Sequence, residues 1–260
     1  MKKLKFIFER TLTFENNVGM HYFSLRCIPH HTKMQEVHEI NFEMSPYASL
    51  AKSKDCFGNH LYTGCIKRPH NHFYFHVDGI VSVKGEPLVD ENLVGLFKYP
   101  SSYTQIAGDL TSYYNGLKIP KFYNDLEKAV FLMEELNDEM YYETQCTDIH
   151  TTAAQAFEIK KGVCQDYAHI FLALCRAEKI PARYVAGFIL GEGETHAWVE
   201  VYSEGLWYGL DPTHNSSIDD TYIKLAIGRD YGDCNIDKGL FYGNTTQKQE
   251  IMVKVETCDD

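Results

Sequence analysis

The sequence predicts an α+β protein in two parts. An all-β unit over residues 1–95, a sandwich or barrel, precedes a unit over 96–260 in which a helix packs on an antiparallel sheet. Three observations carry this reading. The first third alternates apolar and polar residues with a period of two. Residues 103–177 carry apolar side chains at helical spacing. Residues 182–213 return to β-branched and aromatic runs broken by short glycine-containing stretches.

In the first unit the alternation is visible at Leu4, Phe6 and Phe8, at Phe23, Leu25 and Cys27, and at Ile40, Phe42 and Met44. Residues 60–66 and 73–83 are further strand candidates. Asn16-Asn17, Ser45-Pro46, Phe57-Gly58-Asn59 and Lys84-Gly85-Glu86-Pro87 read as turns. Many short strands with regular turns form sandwiches or open barrels. On one candidate strand His70, His72, His76 and Asp78 have the even spacing of a shared face, a possible metal site. Residues so far apart along one strand rarely converge on one ion, so no metal is assigned to them.

Pro87, Pro100, Ser101 and Ser102 mark residues 87–103 as a linker. A first helix is expected over 103–114, with Ile106, Leu110, Tyr113 and Tyr114 on one face and Gly116 as the stop. Asn124 and Glu127 have capping-box spacing ahead of Leu126, Val130, Met133 and Leu136. A third helix covers 151–161 and closes at Gly162. A fourth starts at or near Cys164, since Tyr167, Ala168, Phe171, Leu172 and Cys175 recur at helical spacing until Lys179-Ile180-Pro181. A thiol in the first turn of a helix sits at the positive end of the macrodipole, which favours thiolate over thiol. The plainer alternative is that Cys164 heads the apolar stripe that Cys175 continues.

Three strands follow, at 182–190, 195–202 and 206–213. If Glu204-Gly205 is a two-residue turn, Ser203 pairs with Leu206, Trp198 with Asp211 and His196 with Thr213. His196 and Asp211 are then diagonal neighbours on one face, close enough for a carboxylate to bond an imidazole. Pro212 ends the strand. Cys164, His196 and Asp211 suit nucleophilic catalysis: the imidazole takes the thiol proton, the carboxylate fixes its tautomer and the thiolate attacks a carbonyl. The backbone N–H of Cys164 is a natural oxyanion donor, and Gln165 and Gln155 are side-chain candidates for a second. Trp198 shares the histidine's face and suits core packing. Gly228-Arg229-Asp230-Tyr231-Gly232-Asp233 reads as a charged turn beside the cleft, and residues 247–257 as a last strand.

The blocks Gly162-Val163-Cys164-Gln165-Asp166-Tyr167-Ala168-His169, Ile180-Pro181-Ala182-Arg183-Tyr184-Val185, His196-Ala197-Trp198-Val199-Glu200-Val201 and Leu210-Asp211-Pro212-Thr213 resemble the transglutaminase-like superfamily, in particular its bacterial branch described as cysteine proteases. The resemblance spans residues 97–233, and the charged turn shares it. Asp55-Cys56-Phe57-Gly58-Asn59 is similar to the β-rich N-terminal domain of that branch. The resemblance implies a papain-like core with the cysteine helix packed on the sheet bearing His196 and Asp211. It implies Cys164 as nucleophile, His196 as base, Asp211 as orienting acid, no metal or other cofactor, and a protein or peptide substrate. Hydrolysis of an amide through a thioester is the favoured reaction. Transfer of a glutamine γ-acyl group to an amine and a non-catalytic peptide-binding scaffold are the alternatives.

A net charge of −11 repels phosphate backbones and excludes nucleic acid as a partner. No apolar run approaches membrane-spanning length, and Met1 to Arg10 lack the apolar core and cleavage site of a leader. The eight cysteines are scattered, with no C-x-x-C pair. Reduced thiols and no leader point to the cytoplasm, with no membrane partner.

Overall fold

The computed structural model describes residues 1–88 and 94–258. Residues 89–93, part of the expected linker, lie outside the described residues. The first unit contains β1 (Lys2–Leu25), β2 (Gln35–Ser45), β3 (Ala51–Lys54), β4 (His60–Ile66) and β5 (His70–Val83). Then come α1 (Gly108–Gly116), α2 (Asp125–Glu139), β6 (Tyr141–Tyr142), α3 (Ala153–Ile159), β7 (Lys161–Gly162) and α4 (Cys164–Ala177). The chain ends with β8 (Ala182–Ile189), β9 (Gly191–Gly193), β10 (His196–Ser203), β11 (Leu206–Asp211), β12 (Ser216–Ser217), β13 (Tyr222–Gly228), α5 (Tyr231–Cys234), β14 (Asp237–Tyr242) and β15 (Gln247–Thr257).

β1 organises the first sheet. Its early half buries Leu4, Phe6, Phe8, Arg10, Leu12 and Phe14 at every second position, as strand geometry requires. This half lies between β5 and β15. The later half leaves them and pairs with β4 and β14. Asn16-Asn17 therefore marks no hairpin. It lies where the pairing with β5 shifts register, between Thr13 and Val18, and the strand turns a corner from one half of the sheet to the other. The Asn16 backbone N–H finds its acceptor in the Thr245 hydroxyl at 2.9 Å, which stabilises the corner.

The strand expected at 247–257 forms, but it completes the first sheet: β15 pairs with β1 from Leu4↔Thr257 to Phe14↔Gln247. Local pattern shows a strand and not its partner, so the expected grouping with 96–260 had no local cue against it. β9 then pairs with β15 and carries the first sheet to the edge of the second.

The second sheet is antiparallel, in the order β12-β11-β10-β8-β13, and α4 packs on β10 and β8. The fold is thus a mixed α+β core behind a β-rich N-terminal region. Apolar packing is continuous between the sheets, with Phe6 and Phe8 at 5.6 and 5.2 Å from the Phe188 ring. Two buried amides clasp them. Asn59 donates to the Ile227 carbonyl and accepts from the Ile227 N–H, both at 2.8 Å. Gln35 does the same with Lys224, at 2.7 Å each way. The Asp55 carboxylate fixes Asn59 by accepting from its side chain and from the backbone of Phe57 and Asn59.

α1 begins at Gly108 and not at Tyr103. The Thr104 hydroxyl accepts from the Ser101 N–H and from buried Arg176, and such local bonds compete with a helical start. α2 carries the Asn124–Glu127 capping box in full. α3 is shorter than expected: Thr152 and Gln155 cap its start, and Lys160 ends it in a left-handed conformation at φ 59°.

Candidate active site

The start of α4 is built around a buried carboxylate. Asp166, in the third position of the helix, accepts from the Val163 N–H at 2.8 Å and from the Thr147 hydroxyl at 2.7 Å. Burial raises its pKa, against both of these bonds. Gly162 makes room for it: a Cβ there would lie 2.6 Å from the Asp166 carboxylate. Together they fix the entry into the helix, so that Cys164 is its first residue. The N–H groups of a first turn have no helical partner and point at whatever binds there.

The hairpin that supplies the other two side chains follows the counted register. Ser203 pairs with Leu206, and Glu204 and Gly205 have φ of 51° and 88°, as a two-residue hairpin turn demands. The ladder places Trp198 opposite Asp211 by extension of the Val199↔Leu210 pair. His196 Nε2 donates to Asp211 Oδ2 at 2.7 Å. The remaining ring nitrogen, Nδ1, is left for Cys164, whose side chain hydrogen-bonds the imidazole. The structure therefore brings Cys164, His196 and Asp211 into one chain of contacts.

The electrostatics follow from burial and charge. Burial alone would lower the His196 pKa. The hydrogen bonds with Asp211 and Cys164 outweigh it and push the imidazole up to about 10. Burial would likewise raise Asp211, but the imidazoles of His196 and His214 hold its carboxyl at about 2. A carboxylate with no exposed surface, facing a ring whose side chain is 10% exposed, is a braced acceptor.

Two partners of Asp211 were not foreseen. His214 Nδ1 lies 2.7 Å from the same Oδ2, and the Tyr222 hydroxyl donates to it at 2.9 Å. Asp211 Oδ1 accepts from the N–H groups of Thr213 at 2.9 Å and His214 at 3.3 Å. The Asp-Pro-Thr-His order carried a usable signal, since an aspartate commonly caps the backbone two and three residues on. Tyr222 carried none, because β13 reaches Asp211 only through the fold. Trp198 packs against both His196 and Tyr222, with ring centroids at 6.5 and 5.4 Å.

The site opens into a cavity of about 840 Å³ between the two sheets. Cys164, Gln165, His196 and His214 line it from the core side, and Phe8, Arg10 and Leu12 from β1. Half-exposed Tyr142, Ile149 and Leu190 stand at its rim. Tyr231 and Gly232 of the charged turn also line it. Gln155 does not: its side chain accepts from the Thr152 backbone at 3.0 Å and caps α3. His169 is fully buried and accepts from the Tyr231 N–H at 3.1 Å, a packing role.

The strand histidines do not converge. His70 turns inward to His21, with ring nitrogens 3.2 Å apart. His76 bonds Glu9 and Asp78 on the outer side, at 3.0 Å each, and His72 stacks on Tyr74. The change of side between His70 and His76 follows the register shift in the β1–β5 pairing.

Residues 119–212 match the core model of the transglutaminase-like superfamily, and residues 4–82 match the bacterial transglutaminase-like N-terminal region. Uncharacterized protein ML0607 of Mycobacterium leprae is 23% identical over 278 residues, covering 98% of this chain and 99% of its own. Uncharacterized protein Rv2569c of Mycobacterium tuberculosis is 26% identical over 258 residues, covering 84% and 80%. A crystal structure from Cytophaga hutchinsonii, of a protein provisionally named a cysteine protease, superposes with a TM-score of 0.84 at 22% identity and covers 100% of this chain and 91% of that one.

Proposed function

Because the chain belongs to the transglutaminase-like superfamily, with that superfamily's core behind its bacterial N-terminal region, we propose that it is a cysteine-dependent enzyme that cleaves amide bonds in proteins or peptides through a thioester. The observation that carries this reading is the continuous contact from the Cys164 thiol through the His196 imidazole to the buried Asp211 carboxylate, opening on a cavity.

His196 Nδ1 takes the Cys164 proton, and the thiolate attacks the amide carbonyl carbon. The first-turn N–H groups of α4 stabilise the oxyanion. Collapse of the tetrahedral intermediate breaks the C–N bond as the imidazolium gives its proton to the departing amine. Water, deprotonated by the same imidazole, then attacks the thioester, releasing a carboxylic acid and the thiol. Asp211 holds Nε2–H throughout, so the nitrogen that faces sulfur is always the one that exchanges protons. Half-exposed Tyr142, Ile149 and Leu190 at the rim suit apolar side chains of an extended peptide.

Wild type and Cys164→Ala are compared on a peptide library with a labelled primary amine present. New carboxyl termini that depend on Cys164 support hydrolysis. Cys164-dependent incorporation of the amine in their place would reassign the enzyme to acyl transfer. Identical products from both proteins would remove the thiol from the reaction.

A further inference from the structure

One carboxylate oxygen buried behind the cavity wall serves two imidazoles. Asp211 Oδ2 is 2.7 Å from His196 Nε2 and 2.7 Å from His214 Nδ1. The two rings lie with centroids 5.2 Å apart, and the three ligating atoms fall within 4.8 Å of one another. Their burial is graded: Asp211 is closed off, the His196 side chain is 10% exposed and the His214 side chain is 52% exposed. A proton relay needs only one imidazole against Asp211. The second, on the solvent side, is unused by the chemistry above.

We propose that His196, Asp211 and His214 form a two-histidine, one-carboxylate site for a divalent transition-metal ion of the zinc class, and that its occupation switches the enzyme off reversibly. Imidazole nitrogens and a carboxylate oxygen are the donors such ions take, at roughly 2.0–2.2 Å from the metal. Ligands at those distances in a tetrahedral arrangement stand about 3.3 Å apart. The two separations of 2.7 Å from Asp211 therefore need to open by about half an ångström, and the separation of the two ring nitrogens, within 4.8 Å, must settle to the same value, adjustments that the half-exposed His214 ring can supply. The ion takes the place of a proton on His196 Nε2 and on His214 Nδ1; each ring stays neutral with one proton on its other nitrogen, and only a proton in excess of that leaves to solvent. Solvent supplies the fourth ligand. With Nε2 bound to metal, the neutral His196 ring keeps its one proton on Nδ1. In that state the ring can neither take a proton from Cys164 nor give one to the departing amine without becoming an imidazolate, so the proton relay is broken.

Cobalt(II) is the probe, because it takes zinc-type sites and absorbs visibly in four-coordinate geometry. The full chain is titrated with it alongside His214→Gln and Cys164→Ser, with circular dichroism as the fold check. One equivalent per chain is expected in wild type and in Cys164→Ser. In His214→Gln the affinity falls by at least the about 10–100-fold that even an outer-shell partner is worth. Equal binding in His214→Gln overturns the proposal. So does loss of binding in Cys164→Ser together with a thiolate-to-cobalt band, which would put the ion on the Cys164–His196 pair. Absence of stoichiometric binding to wild type also overturns it. None of these readings depends on turnover, so the proposed reaction can fail without affecting them.

Discussion

Replacing Asp211 by asparagine isolates what the carboxylate does. Oδ1 accepts two backbone N–H groups that cannot turn away, those of Thr213 and His214. Asparagine must therefore point its amide oxygen at them and its NH₂ at the place where Oδ2 now accepts from His196, His214 and Tyr222. A donor then faces the His196 Nε2–H. The ring escapes by moving its proton to Nδ1, the nitrogen that must receive the proton from sulfur. The charge on the imidazolium is lost with it. Its pKa, raised from 6.5 to about 10 by Asp211 and Cys164 against burial, falls once the carboxylate is gone. Wrong tautomer and lost charge together predict a fall of about 10³–10⁴ in turnover on any peptide the wild type cleaves, with the fold retained. Nitrogen-15 NMR of the imidazole reads the cause directly. Wild type is expected to be protonated on both ring nitrogens, and Asp211→Asn on Nδ1 alone. An Asp211→Asn protein that keeps the Nε2–H tautomer, or turns over at the wild-type rate, would refute the reasoning.

Other perturbations act on the frame. Glu200 is buried between Arg183 and Lys224, and although burial pushes its carboxyl up, the two cations hold it at about 2. Its folded pKa is below its unfolded value near 4.3, so its contribution is complete above that value and is lost as pH falls through about 2. Glu200→Gln is expected to cost about 3–5 kcal/mol at pH 7, and to flatten the fall of Tm between pH 5 and pH 2 seen in wild type. A Tm within a degree of wild type at pH 7 would contradict this. Gly162→Ala puts a methyl 2.6 Å from the Asp166 carboxylate and is expected to cost about 1–3 kcal/mol by chemical denaturation. An unchanged midpoint there would mean that the entry to α4 is looser than described.

Much of this architecture is written locally. The Glu204-Gly205 turn fixes a register by counting, and the count brings His196 toward Asp211 without any knowledge of the third dimension. The Asn124–Glu127 cap and the stop at Pro181 are equally local. What could not be read depends on partners far along the chain. Nothing in residues 247–257 says that they pair with β1, nor that Gly191–Gly193 pairs with β15. Asn16-Asn17 looks like a hairpin turn because a corner and a turn use the same residues. Asn59 and Gln35 look like loop polars until β13 arrives to receive them. At the site the same holds for Tyr222, whereas His214 was within reach of sequence reasoning, three residues beyond an aspartate already singled out.

The central claim is that His196 carries positive charge beside the Cys164 sulfur. The most direct test is the rate at which iodoacetamide modifies Cys164, followed by peptide mapping from pH 5 to pH 9 in wild type and His196→Ala. An ordinary thiol, with a pKa near about 8.5, hardly reacts at pH 6. Rapid modification of Cys164 at pH 6 that disappears in His196→Ala is the predicted result. The same slow, alkaline profile in both proteins would contradict it.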